Sequence, residues 1–304
     1  MIIIGNISNI QNTIKEIKYV YTVSKSEEID SILGIKITKT NVGEYTMDQS
    51  KYIINKLNEY DIKEEKNNPY SEITDSDLNK QKVDPTKYRS AIGSLIHLAR
   101  CTRPDISETI SKLSTKRNNP TIKDWKMLLN VFKYLNKTKN SYLRFDDKED
   151  IMAYSDASFG PKEDDNNAKS TTGYIIYIGS APVCWRSKKQ KFTARSTIEA
   201  EFNATADLIE KIIWLNNLNK ELEGRVLLCQ TFCDNLSNIK ILTNEKRTNS
   251  SRHFDIDYSY VMDYIKEDFI NISYINSNNM LADILTKRIS KDSFNYFIDN
   301  TFYY

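Results

Sequence analysis

Very little in this sequence bends or staples the chain. Its 304 residues hold only 8 glycines, 6 prolines and 4 cysteines. Such scarcity of Gly and Pro argues against a loop-rich or low-complexity protein. Cys101, Cys184, Cys229 and Cys233 are too few for a disulfide framework, so a reducing compartment is the default. Cys229 and Cys233 stand four apart, but no second Cys or His pair follows at zinc spacing, which leaves two thiols in a buried strand as the simpler reading. An excess of one charge is missing too: 43 basic against 41 acidic residues give a net charge of +2. Any footprint for nucleic acid must therefore come from local clustering. No apolar run approaches the roughly 20 residues that span a bilayer, so no membrane partner is expected. The opening Met-Ile-Ile-Ile has neither a basic leader nor a long apolar region and does not read as a signal peptide.

Hydrophobic residues make up 39% of the chain and aromatics 11%, enough to build a core and unlike a disordered composition. The length suits two domains, and the patterning changes near the acidic stretch at 146–150. Before it, the spacing predicts helices over 9–19, 49–60, 84–99, 106–115 and 122–135, with a strand at 31–39 and a hairpin turn at 41–43 leading into 44–47. After it, short strand-like runs fall at 151–155, 171–178, 183–185, 226–233 and 270–275. They alternate with helical patterns at 196–222, 235–243, 254–266 and 279–286. Three consecutive strands can pair as a meander, and later strands separated by helices should join in parallel. We therefore place a boundary between residues 1–148 and 149–304.

Four acids stand at the edges of short apolar elements in the second region: Asp156, Glu201, Asp234 and Asp283. A carboxylate in such surroundings is costly unless it is paired, hydrogen-bonded or bound to a metal. Several brought together repel one another, so a divalent cation is the natural partner. Oxygen-only ligation favours Mg²⁺, with Mn²⁺ as a substitute, over zinc. Each acid taken alone also fits a turn or cap. Helical spacing separates Glu201 from Glu199: Ala204, Thr205, Leu208 and Ile212 share a face with Glu201, whereas Glu199 shares one with Asn203, Ala206 and Glu210. Glu201 should turn inward.

The ordered motifs Ser-Asp-Ala-Ser-Phe-Gly (155–160), Ser-Thr-Thr-Gly-Tyr (170–174), Val-Cys-Trp-Arg-Ser-Lys-Lys-Gln (183–190) and Ser-Thr-Ile-Glu-Ala-Glu-Phe (196–202) resemble the ribonuclease H domain of copia-type retrotransposon Pol polyproteins. Cys-Asp-Asn-Leu-Ser (233–237), Arg-His-Phe-Asp-Ile (252–256) and Leu-Ala-Asp-Ile-Leu-Thr-Lys (281–287) continue the series. In the first region, Ile-Leu-Gly-Ile-Lys-Ile (32–37), Tyr-Arg-Ser-Ala-Ile-Gly-Ser-Leu (88–95) and Thr-Arg-Pro-Asp-Ile (102–106) resemble the part of Pol that links polymerase to ribonuclease H. The family usually has Tyr where His97 stands.

The resemblance implies an α/β ribonuclease H-like fold, a mixed five-stranded sheet flanked by helices, preceded by a partial reverse-transcriptase palm, thumb and connection region. It implies that Asp156, Glu201, Asp234 and Asp283 are the catalytic, metal-binding set for two Mg²⁺ ions. The implied activity is cleavage of the RNA strand of RNA–DNA hybrids during reverse transcription, beside other parts of Pol. Met1–Ile4 aligns just after the family's Tyr-x-Asp-Asp hairpin, so the polymerase aspartates are not among these residues and DNA synthesis is not expected. A silent remnant that at most binds nucleic acid is the alternative. An integrase-type nuclease on the same fold is disfavoured by the Arg103-Pro104-Asp105 segment.

Substrate contacts are expected from the basic cluster Arg186, Lys188, Lys189, Lys191 and Arg195, which carries no acid and would track phosphates. A solvated turn is the plainer reading of the same run. Ser170, Thr171 and Thr172 could hydrogen-bond a nucleic-acid backbone or simply open a strand. His253 is a possible auxiliary group for the leaving oxygen, or a polar residue ahead of a helix. His97, in an apolar helix, reads as a packing residue.

Overall fold

The computed structural model describes residues 3, 5–23, 30–70, 78, 81–160, 169–243, 261–265 and 269–304. Helix α1 (Ile7–Val20), capped by the Asn6 side chain, buries none of its residues. A four-stranded antiparallel sheet follows, in the order β1 (Ser31–Ile32), β2 (Ile35–Lys39), β3 (Tyr45–Asp48) and β4 (Leu143–Phe145). The single strand expected at 31–39 is in fact a hairpin. Leu33 and Gly34 both take positive φ, 51° and 76°, the two-residue turn whose twist matches antiparallel strands.

Four helices pack beside this sheet: α2 (Ser50–Glu59), α3 (Pro85–Cys101), α4 (Ser107–Ser114) and α5 (Ile122–Lys137). Local chemistry sets two of their starts. The Asp84 carboxylate accepts from the Thr86 and Lys87 amides, with Pro85 in the first turn. Thr121 and Asp124 cap α5 reciprocally.

The second sheet has the order β7-β6-β5-β8-β9, built from β5 (Ile151–Ser158), β6 (Thr171–Ile178), β7 (Ala181–Lys189), β8 (Cys229–Cys233) and β9 (Ile270–Tyr274). The first three strands form the expected antiparallel meander; β8 and β9 join in parallel. Helix α6 (Thr197–Glu223) carries the chain from β7 to β8, and α7 (Leu236–Thr243) follows β8. Residues 261–265 are helical, which covers the described part of the helix expected at 254–266. This is the mixed five-stranded sheet flanked by helices that the resemblance implies. No helix among the described residues is long and apolar enough to cross a membrane.

Strand alternation gives the second sheet two apolar faces. Ile151, Ala153, Tyr174, Ile176 and Cys229 pack with Phe202, Leu208, Ile209 and Ile212 of α6. Tyr154, Ile175 and Tyr177 pack instead with the helices of the first region, through residues such as Leu95, Ile106, Leu128 and Phe132. The Trp185 indole N–H donates to the Ala99 carbonyl at 2.6 Å, pinning β7 to α3.

A last helix, α8 (Lys291–Asp299), lay outside the expected elements, and its Phe294 and Phe297 enter the same core. The Tyr177 hydroxyl meets Thr301 at 2.8 Å. The two sheets divide between Phe145 and Ile151, while one core runs across that division.

Candidate active site

Asp156 lies within β5, two residues before its end, and is 2% exposed. Parallel pairing of Tyr154 with Phe232 brings the end of β8 alongside, and Asp234 follows that strand directly. One oxygen each from Asp156, Asp234 and Asp283 lie within 4.8 Å of one another, as do ligand atoms of Glu201, Cys233 and Asp234. The four carboxylates expected from the sequence therefore meet at one end of the sheet. Hydroxyls orient two of them: Thr286 donates to Asp156 Oδ2, and Ser277 donates to Asp234 Oδ2 at 2.8 Å.

Asp283 arrives by an unexpected route. The helix expected at 279–286 is replaced by two short 3-10 turns, Ser277–Asn279 and Asp283–Leu285, separated by extended backbone at Met280. The physical reason is that Met280, Leu281, Ala282, Ile284 and Leu285 are all buried, so the segment has no solvent face to make it an amphipathic helix. It lies against β6 at Gly173, the residue paired across the sheet with Asp156. A Cβ at position 173 would sit 2.5 Å from Thr286 Cγ2, 2.8 Å from Leu285 Cβ and 3.1 Å from the Ala282 carbonyl. The glycine of the Thr-Thr-Gly-Tyr motif is what admits the Asp283 turn to Asp156.

Helix α6 separates its two acids as the spacing predicts. Ser196 Oγ accepts from the Glu199 amide at 3.1 Å, and Glu199 Oε2 accepts from the Arg195 amide at 2.6 Å. Glu199 is thus tied up in the cap. Glu201, two residues on, is 7% exposed and sits among the other acids. Behind it, the Thr205 hydroxyl donates to the Glu201 carbonyl, meets Ser155 Oγ at 3.1 Å and accepts from Asn238 at 3.0 Å. These bonds tie β5, α6 and α7 together beneath the site.

The cluster is electrostatically uncomfortable. Burial pushes the Glu201 carboxyl up to about 9, and the charges of Asp156 and Asp234 push the same way. Its Oε2 is buried without a hydrogen-bond partner. Burial and the Asp156 charge raise Asp283 to about 7 against the pull of Lys287. The Lys287 ammonium lies 2.9 Å from Asp283 Oδ1 and 3.7 Å from Asp156 Oδ2. Cys233 is a poor ligand, because burial raises its thiol to about 12 and keeps it protonated. What remains is a set of hard oxygen donors with an orphaned buried oxygen among them, which fits Mg²⁺ or Mn²⁺.

Comparison with known proteins gives the arrangement a context. No family model matches the chain. Among curated proteins, the Pol polyprotein of the Arabidopsis thaliana transposon RE1 is 31% identical over 295 residues, covering 95% of this chain and 20% of that polyprotein. The Pol polyprotein of the Nicotiana tabacum transposon TNT 1-94 is 30% identical over 277 residues, covering 86% of this chain and 21% of its own length. The chain belongs to the Pol polyproteins of copia-type retrotransposons. This Pol segment spans about a fifth of the length of these relatives. Among solved structures, LC11-RNase H1 isolated from compost is 15% identical, with a TM-score of 0.36, covering 45% of this chain and 93% of its own.

Within the Pol segment, the expected substrate contacts scatter. Alternation along β7 divides the basic cluster between two faces of the sheet. Arg186 is exposed, while Lys188, on the same face, is bound to Asp207 of α6 at 3.2 Å. Lys189 points to the opposite face and is also engaged. Lys191 and Arg195 are exposed in the loop before α6, and Thr171 is half-buried at the start of β6. Ser170 is a correction: it is fully buried, beneath the Gln190 amide that bonds its carbonyl, and its hydroxyl does not reach the surface. His253 lies outside the described residues. His97 packs as expected, against the Tyr52 ring and beside Gln49.

Gly173, Ser277, Thr286 and Lys287 also belong to the site and were not expected from the sequence. Thr286 and Lys287 belong to the quoted 281–287 motif. Their position three and four residues after Asp283 was the available signal.

Proposed function

We propose that this Pol segment is a metal-dependent endonuclease of the ribonuclease H type, hydrolysing the RNA strand of RNA–DNA hybrids during retrotransposon reverse transcription. The observation that carries the reading is the meeting of four carboxylates from four separate elements, with Lys287 alone among the described residues paired to them. Asp156, Glu201, Asp234 and Asp283 would hold two Mg²⁺ ions. Ions bound there supply activation of the attacking water and neutralise charge on the leaving oxygen.

The chain's own residues do the rest. Thr286 and Ser277 fix the orientation of Asp156 and Asp234 through their hydroxyls. Burial of Asp156, Glu201 and Asp283 excludes bulk water and strengthens every charge interaction within the cluster. Exposed Arg186, Lys191 and Arg195 are available to hybrid phosphates, which position a duplex without reading its sequence. Discrimination for RNA would rest on minor-groove 2′-hydroxyls, so sequence preference should be weak. The remaining parts of Pol are the natural partners in the same reaction.

A silent remnant that at most binds nucleic acid is the competing reading, and retention of all four acids weighs against it. In-gel cleavage of a labelled hybrid separates the two. The expected result is Mg²⁺-dependent cutting of the RNA strand by the wild-type protein and none by Asp156→Asn. Absence of cutting by the folded wild-type protein overturns the nuclease reading.

A further inference from the structure

One cation already sits among the four acids. The Lys287 ammonium is 2.9 Å from Asp283 Oδ1 and 3.7 Å from Asp156 Oδ2. Its backbone amide donates to the Asp283 carbonyl at 3.0 Å, which holds the root of the side chain one turn beyond that acid. The preceding residue, Thr286, donates its hydroxyl to the same Asp156 Oδ2. Packing of Leu285 and Thr286 against Gly173 fixes this stretch of backbone on the sheet. The lysine's base is therefore anchored, while its side chain remains 35% exposed and has a way out to solvent.

We propose that Lys287 is a resident counter-ion of the cluster, holding Asp156 and Asp283 together until a divalent ion displaces it. The inference rests on the ion site proposed above. An ammonium on a flexible four-carbon stem is a compact point charge that can swing aside without moving the backbone. It cannot share the Asp156 and Asp283 oxygens with a divalent ion at close range, because two cations there would repel strongly. The same residue thus has two effects. It steadies the ion-free protein by offsetting repulsion between carboxylates, and it weakens ion binding by competing for the same oxygens. It is a positioning residue that sets the ion threshold of the site.

Two measurements on the full chain test this. Amine labelling of the wild-type protein, read by mass spectrometry, should rise several-fold at Lys287 when Mg²⁺ saturates the protein, because the freed ammonium becomes accessible. Calorimetric titration should show Lys287→Gln binding Mg²⁺ at least about tenfold more tightly than wild type, as expected for removing a unit charge at this distance. Lys287→Arg, which keeps the charge, should bind as weakly as wild type. In EDTA, the Gln variant should also melt at a lower temperature and recover more than wild type on adding Mg²⁺. If wild type binds Mg²⁺ but labelling at Lys287 does not change, or if Lys287→Gln binds no more tightly, the counter-ion role is overturned and the ion site stands. If wild type binds no Mg²⁺, both fall together.

Discussion

Two clusters of buried charge among the described residues, one around Arg103 and one around Asp156, are built on opposite plans. In the first region, Arg103 and Asp105 are each 2% exposed. Arg103 Nε and Nη2 donate to the two Asp105 oxygens at 3.0 and 2.6 Å, and its remaining donors reach the Thr138 carbonyl and hydroxyl. The Tyr134 hydroxyl donates to Asp105 Oδ2 at 2.5 Å, and the rings of Tyr134 and Phe302 flank the guanidinium at 5.3 and 5.4 Å. Every polar atom has an opposite. In the second region, four carboxylates share one lysine among the described residues, the Glu201 Oε2 oxygen is orphaned, and two of the acids are held well above the ordinary carboxylate range. Burial of charge is common to both groups and so does not mark function. The uncompensated sign does, because it calls for something from outside the chain.

Substitutions should break this contrast in opposite directions. Arg103→Ala strands the Asp105 carboxylate in the core and should cost about 3–5 kcal/mol in urea unfolding. A loss under 1 kcal/mol would mean that the pair is not the lock it resembles. Gly173→Ala forces a methyl into the Thr286–Leu285 turn and should cost about 1–3 kcal/mol by overpacking, with the larger loss in hybrid cleavage because the Asp283 turn is displaced. Cleavage at the wild-type rate would show that the turn can shift freely. Asp156→Asn should leave stability in EDTA unchanged or slightly raised, because it removes one of several repelling charges. A melting temperature clearly below wild type would place this aspartate with the structural pair instead.

The smallest effect is a slope against pH. Glu201 and Asp283 have folded values, about 9 and about 7, raised above their ordinary ones near 4.5 and 3.8. Between the ordinary and the raised value, the folded state binds more protons than the unfolded state. Stability of the ion-free protein is therefore greatest below the ordinary values and falls as pH rises, through about 7 for Asp283 and about 9 for Glu201. Saturating Mg²⁺ should flatten that fall. A thermal midpoint in EDTA that stays level from pH 5 to 9 would contradict it.

Much of the site was legible because its signals are local. Helical spacing assigned Glu201 to the buried face and Glu199 to the rim, and the apolar run into Asp234 marked a strand end. The strand pairing also followed from simple patterning, since the meander and the parallel additions depend only on what separates the strands. What was hidden depends on contacts between distant segments. The Asp283 turn takes its shape from the sheet it lies on, and nothing in residues 279–286 announces Gly173. Helix α8 has modest local signals and owes its place to Phe294 and Phe297 entering the core of the first region. Lys287 reads as an ordinary surface lysine until the turn carries it between two acids. Ser170 sits in a polar motif, yet the fold buries it. The turn at Leu33–Gly34 is a case of unrecognised local chemistry, hidden by the β-branched residues on either side.

The four carboxylates are proposed to form one divalent-ion site. Mn²⁺ binding followed by electron paramagnetic resonance tests it directly, on the wild-type protein and on Asp156→Asn, Glu201→Gln, Asp234→Asn and Asp283→Asn. Two bound ions per wild-type chain are expected, with the loss of at least one in each variant that remains folded. Wild-type stoichiometry and affinity in all four variants would contradict it.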